Sequence, residues 1–90
     1  MRRDKHYYLY VLKCRDGSFY TGMTDDIPAR LEEHRQGIGC DYTLRRLPVF
    51  LVYHESHPSK RIARARERQV KGWSRRKKQL FIRGLLPPPQ

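Results

Sequence analysis

The chain has 90 residues, room for one modest core and too few for a second domain. It sets 20 Lys and Arg against 9 Asp and Glu, a formal net charge of +11, while hydrophobic residues make up 38%. The apolar share excludes a disordered tail, and so much like charge on a compact domain points to a polyanionic partner ahead of a merely solvated basic surface. No apolar run approaches the ~20 residues of a membrane span, and the N-terminus lacks a signal-peptide core. Cys14 and Cys40 have neither CxxC spacing nor nearby ligands, so both read as reduced thiols of a cytoplasmic protein.

In chain order, Tyr7 to Lys13 is aromatic and β-branched and predicts a strand covered on both faces. Asp16-Gly17 is a hairpin signal, with Ser18 to Met23 as the returning strand. Asp25 or Asp26 then offers an N-cap, Pro28 suits a first helical turn, and a helix through His34 stops near Gly37 and Gly39. A basic loop with Tyr42, Arg45 and Arg46 leads to a third strand over Val49 to Tyr53. From Ser59 a helix carries Ile62, Ala63, Val70 and Trp73 on one arc, and Ser74 caps a last helix ending before Gly84. The order ββαβαα predicts an α/β (α+β) fold: a three-stranded, mainly antiparallel sheet flanked by helices. One domain is expected over residues 5–85, followed by a disordered proline-rich tail over 86–90.

Four places could carry chemistry. Ile27, Arg30, Leu31 and His34 have the i, i+3, i+4, i+7 spacing of a buried stripe, yet two of the four are polar. They present either a fixed cation and a titratable imidazole to one ligand, or a snorkelling Arg and a backbone-bonded His. The hairpin offers Tyr10 and Tyr20, whose relation depends on the turn. A two-residue turn sets them on opposite faces. A three-residue Arg15-Asp16-Gly17 loop with a G1 bulge pairs Tyr10 with Gly22 and Leu12 with Tyr20, leaving the tyrosines on one face, roughly 7 Å apart at Cβ. The bulged loop is the expectation here, and two ordinary core aromatics are its alternative. Glu67, set among Arg64, Arg66, Arg68 and Lys71, is either a ligand for a divalent cation or an i,i+4 partner of Lys71. Arg75, Arg76, Lys77 and Lys78 open the last helix against its dipole, a placement that bound phosphate would relieve and that salt would screen.

Together these elements resemble the GIY-YIG nuclease superfamily over roughly Lys5 to Leu85, most nearly its small stand-alone bacterial members. Tyr8-Leu9-Tyr10 is similar to the GIY element and Tyr20-Thr21-Gly22 to the YIG element; Arg30, His34 and Glu67 follow in the family's order. The match departs at Tyr8, Leu9 and Thr21. The chain also has no asparagine to stand for the late Asn of several family nucleases. The resemblance implies Tyr10 as general base, Tyr20 orienting it or the nucleophile, Arg30 stabilising phosphoryl charge and His34 relaying a proton. Glu67 would bind one Mg²⁺ (or Mn²⁺). A free phenol is only about 0.1% ionised at pH 7, so such a base needs cations nearby, which Arg30 and the metal would supply.

The leading expectation is a metal-dependent endonuclease hydrolysing DNA phosphodiesters, on branched or damaged DNA in repair or recombination. Tyr42, Arg45, Arg46, Lys71, Arg75 and Arg76 would contact the nucleic acid, DNA ahead of RNA. The alternatives are a non-catalytic DNA- or RNA-binding module on the same scaffold, or a subunit activated only by a protein partner.

Overall fold

The computed structural model describes residues 6–85; the expected tail over 86–90, and Lys5 at the start of the expected domain, lie outside them. Strands β1 (Tyr7–Cys14), β2 (Phe19–Thr24) and β3 (Val49–His57) form one antiparallel sheet in the order β2-β1-β3. Helices α1 (Ile27–Arg35) and α2 (Asp41–Leu44) separate β2 from β3, and α3 (Lys60–Lys71) and α4 (Arg75–Ile82) follow. The order is therefore ββααβαα. The sheet and its flanking helices are as the sequence predicts, while α2 corrects the expected loop. One turn of helix is too short to show a period, and Cys40 supplies no side-chain cap for it.

As the central strand, β1 has both faces covered, which explains its unbroken apolar run. On one face Tyr10, Leu12, Cys14 and Val49 pack with Tyr20, Ile27, Leu31, Leu47 and Leu51, under α1. On the other Leu9, Val11 and Val70 pack with Phe19, Tyr53, Trp73, Phe81 and Ile82, under α3 and α4. A bulge at Val52 breaks the β1–β3 register: Leu12 pairs with Leu51, but Val11 pairs with Tyr53. Odd-numbered residues of β3 therefore change sides. Val49 and Leu51 face α1, whereas Tyr53, Glu55 and His57 face the α3 layer.

That switch accounts for two departures from expectation. The third strand runs on past Tyr53 because Glu55 accepts from Arg66 Nε at 2.8 Å, from Tyr53 at 2.7 Å and pairs with His57 at 2.6 Å. These polar residues lie beyond any hydrophobic alternation. Burial opposes ionisation of Glu55, but bonds from Arg66, Tyr53 and His57 outweigh it and hold the carboxyl below its usual range. The buried arc of α3 is Ala63 and Val70, with the half-buried Arg66 between them; Ile62 is 43% exposed, contrary to its predicted place. Arg66 takes the inner position because its guanidinium meets Glu55 and lies 5.1 Å from the Phe81 ring. Both cysteines are free thiols.

Candidate active site

The hairpin fixes the tyrosines. Cys14 N–H donates to Ser18 O at 2.9 Å, Gly17 N–H donates to Cys14 O at 2.9 Å, and Gly17 has φ +83°. This is the expected three-residue bulged loop, and glycine adopts its left-handed conformation without a Cβ clash. Tyr10 pairs with Gly22 and Leu12 with Tyr20, so both rings project from one face, 6.4 Å apart. Gly22 is needed for more than its place in a motif. A Cβ there would sit 2.5 Å from the Tyr10 hydroxyl, so the missing side chain is the space the phenol occupies.

Helix α1 lowers its polar pair onto that face. Asp26, not Asp25, is the N-cap, accepting from Ala29 N–H at 3.1 Å, an interaction worth about 1 kcal/mol. Ile27 and Leu31 pack on the sheet, His34 is wholly buried, and Arg30 is half-buried between them. The Tyr10 hydroxyl meets His34 Nε2 at 2.9 Å and receives Arg30 Nε at 3.4 Å. Arg30 also donates to Glu33 at 3.0 Å and to Gly39 O at 3.1 Å, which fixes its guanidinium plane. The Tyr20 ring lies 5.3 Å from His34 and 5.9 Å from Tyr42.

Electrostatics bear on the Arg30 half of one expectation, the cationic field about Tyr10. Burial pushes the Tyr10 phenol up, and the Arg30 hydrogen bond and charge offset this only in part. Burial, then the Tyr10 charge, raises Tyr20 as well. Arg30 alone therefore does not ionise Tyr10 in advance. A desolvated phenolate costs more than one guanidinium at 3.4 Å returns. Burial, and then the Arg30 charge, lowers His34, which leaves a neutral imidazole against the phenol at neutral pH. Arg30 itself is held firmly protonated, first by its bond to Tyr10.

From α3, Glu67 and Lys71 reach the tyrosine side. Lys71 Nζ stands 6.0 Å from the Tyr20 ring, and the Glu67 charge acts on Tyr10. The two are also paired with each other at 3.2 Å, with the Glu67 side chain only 19% exposed. Glu67 is thus an i,i+4 partner of Lys71 whose charge also acts on Tyr10. Among the described residues no group of three or more His, Cys, Asp and Glu gathers to hold a metal. A single carboxylate suits Mg²⁺, which keeps several waters and binds through one or two carboxylates plus substrate phosphates.

Known proteins match the chain over most of its described length. The GIY-YIG catalytic domain matches residues 6–79. The chain belongs to the GIY-YIG family. Among its curated relatives, a UPF0213 protein of Bacillus pumilus is 49% identical over 82 residues, covering 91% of this chain and 83% of the relative. One from Streptococcus sanguinis is 50% identical over 76 residues, covering 84% and 87%. Two solution NMR structures are similar. A UPF0213 protein of Bacillus halodurans has 44% identity and a TM-score of 0.56 over 86% of this chain and 82% of that one. A protein of E. faecalis has 34% identity and a TM-score of 0.63 over 100% and 98%. The chain is thus one of the small bacterial GIY-YIG proteins. The family is one of nucleases, generally dependent on a divalent metal, and implies interaction with nucleic acid.

Around the GIY-YIG face the expected contact residues are brought together unevenly. Tyr42 stacks beside Tyr20, and the Arg46 guanidinium lies 3.8 Å over the Tyr42 ring. Arg46 also pairs with Asp16 of the hairpin at 3.1 Å, and Arg75 reaches over Gly17 from α4. With Lys71 these form a continuous aromatic and basic rim from the tyrosines to the hairpin tip. Arg45 and Arg76 are exposed, at the end of α2 and in the first turn of α4, and among the described residues no hydrogen bond or ion pair ties them to that rim. Two residues that sequence reasoning did not single out touch His34 directly. Thr43 Oγ1 lies 2.8 Å from Nδ1, and the Gly39 backbone is packed so close that any Cβ would overlap the ring. Gly39 entered the sequence reading only as part of a helix stop, and Thr43, inside a stretch expected to be loop, gave no signal.

Proposed function

We propose that this protein is a metal-dependent endonuclease that hydrolyses DNA phosphodiesters in the cytoplasm, on branched or damaged DNA met in repair or recombination. One observation carries the reading: a buried tyrosine hydroxyl is bonded at once to a permanently charged guanidinium and a neutral imidazole. A water in line with the scissile phosphorus would give its proton to the Tyr10 oxygen as the Tyr10 proton passes to His34 Nε2. The phenol need not be ionised beforehand, so its raised pKa is no obstacle, and the neutral His34 is the final acceptor. Arg30, oriented by Glu33 and Gly39, donates to the phosphoryl oxygens as charge builds there. Tyr20 walls the site and orients Tyr10 or the water. Glu67 would hold the Mg²⁺, whose charge, when bound, stabilises the leaving oxygen. Lys71 would then turn from Glu67 towards phosphate. The rim of Tyr42, Arg46 and Arg75, extended by Arg45 and Arg76, would track the backbone of the nucleic acid.

The Glu67–Lys71 ion pair supports a second reading, a non-catalytic DNA- or RNA-binding module in which Glu67 is a helix salt bridge. The deciding experiment is cleavage of labelled linear, nicked, flapped and four-way DNA, with an RNA duplex alongside, in Mg²⁺ or Mn²⁺. Glu67→Gln should abolish cleavage while preserving fold and metal-free DNA binding. Binding without cleavage of any of these substrates would leave the module reading in its place.

A further inference from the structure

His34 is held at both ring nitrogens, and its partners admit one arrangement of protons. The Tyr10 oxygen already receives Arg30 Nε, so its own proton needs an acceptor, and in this buried site that acceptor is His34 Nε2. A neutral imidazole with a lone pair on Nε2 carries its proton on Nδ1. Nδ1 points at Thr43 Oγ1, 2.8 Å away, and Thr43 is fully buried. The Thr43 proton has its own acceptor in Cys40 O at 3.3 Å, which leaves Oγ1 free to accept from Nδ1. In the opposite tautomer both Nε2–H and Arg30 would donate to Tyr10, and the phenol proton would be stranded in the interior.

From this geometry we infer that Thr43 is a positioning residue. It fixes His34 as the Nδ1–H tautomer and so aims a lone pair at the Tyr10 hydroxyl. Gly39 makes the reach possible, since a side chain there would occupy the space of the imidazole and hold the loop away. Arg30 ties the same loop through Gly39 O, so the guanidinium that contacts Tyr10 also anchors the segment that orients its proton acceptor. The groups facing His34 are Tyr10, Tyr20, Arg30 and Thr43, with the Glu33 charge acting on it from α1. None of them but Thr43 offers Nδ1 a hydrogen bond. This role rests on the proposed nuclease chemistry for its purpose and on the hydrogen bonds alone for its existence.

The tautomer can be read without any cleavage assay. In ¹⁵N-labelled protein above the His34 pKa, a pyrrole-like Nδ1 and a pyridine-like Nε2 resonate far apart, and the wild type should show that pattern. Thr43→Val should move His34 towards a mixture of tautomers, and Thr43→Ser should restore the wild-type signature. In cleavage, Thr43→Val should lower kcat about 10–100-fold with KM little changed, as removal of an orienting partner does elsewhere, and Thr43→Ser should recover most of it. If Thr43→Val folds poorly, Thr43→Ala is read in the same spectrum. A wild-type Nε2–H tautomer, or a His34 signature unmoved by loss of the hydroxyl, overturns the assignment. A wild type with the Nδ1–H pattern that cuts no DNA would sustain it while removing the nuclease reading.

Discussion

The two faces of the sheet share one central strand and are built on opposite terms. Under α1, the core has at its centre a fully buried imidazole, a phenol 2% exposed and a buried threonine, joined by hydrogen bonds and seated on two glycines. Under α3 and α4, Leu9, Val11 and Val70 meet an aromatic cluster in which Tyr53 and Phe81 lie 4.4 Å apart. Its half-buried carboxylate, Glu55, is answered by the half-buried Arg66. The difference separates tasks: apolar contact and a satisfied ion pair stabilise the second layer, while the first gives up apolar area to hold reactive groups dry and oriented.

The contrast is broken most sharply at Tyr10. Tyr10→Phe removes one oxygen and should lower kcat about 10²–10⁴-fold, the range of a general acid–base contribution. Stability should fall by only about 1–3 kcal/mol, through the unpaired His34 nitrogen. A variant cutting at the wild-type rate would move the chemistry elsewhere. The opposite layer should answer in the opposite way. Arg66→Met leaves Glu55 half-buried without its cation and should cost about 1–3 kcal/mol in urea unfolding, with cleavage per folded molecule unchanged. Equal losses of rate in both variants would show that the layers are not separable.

Acid should dissolve the two layers in sequence. His34 has a folded pKa below its ordinary 6.5, so the unfolded chain binds the extra proton first. Stability from its neutral burial is complete above pH 6.5 and falls as pH drops below that value towards the folded pKa. Glu55 is also lowered, from 4.5, so its contribution is complete above pH 4.5 and is lost only as pH falls further, through its folded pKa. Urea midpoints should therefore decline first below pH 6.5, and that early decline should be missing in His34→Gln. The smallest effect belongs to the rim. Arg46→Ala with Arg75→Ala should weaken all DNA sequences alike and reduce the slope of log K against log salt by about two. Loss confined to one sequence would mean base contacts instead.

Much of this was legible in the chain because the signals were local. Asp16-Gly17 carried the turn, the turn carried the strand parity, and parity put Tyr10 and Tyr20 together. The i, i+4 spacing then brought Arg30 and His34 to the same face. What escaped was set by tertiary contact. Thr43 matters through a ring nine positions away, Gly39 through a clash that only a folded loop would create, and Arg66 through a carboxylate on another strand. The direction of the Tyr10 shift escaped too, because a list of neighbouring cations contains no measure of the burial that opposes them.

The extra residue at Val52 has a consequence for how this scaffold can vary. Because β3 serves one layer with Val49 and Leu51 and the other with Tyr53 and Glu55, its pairing register is a shared setting, whereas its side chains can be exchanged one layer at a time. Deleting Val52 would close the bulge with Leu51 still opposite Leu12 and Tyr53 still opposite Val11, so Glu55 would keep its side and its approach to Arg66. A residue added or lost elsewhere in the strand, with the bulge kept, would instead turn every side chain beyond it. Substitution can retune either half of the molecule in small steps, and the bulge is the place in this strand where a residue can be shed without both halves having to answer.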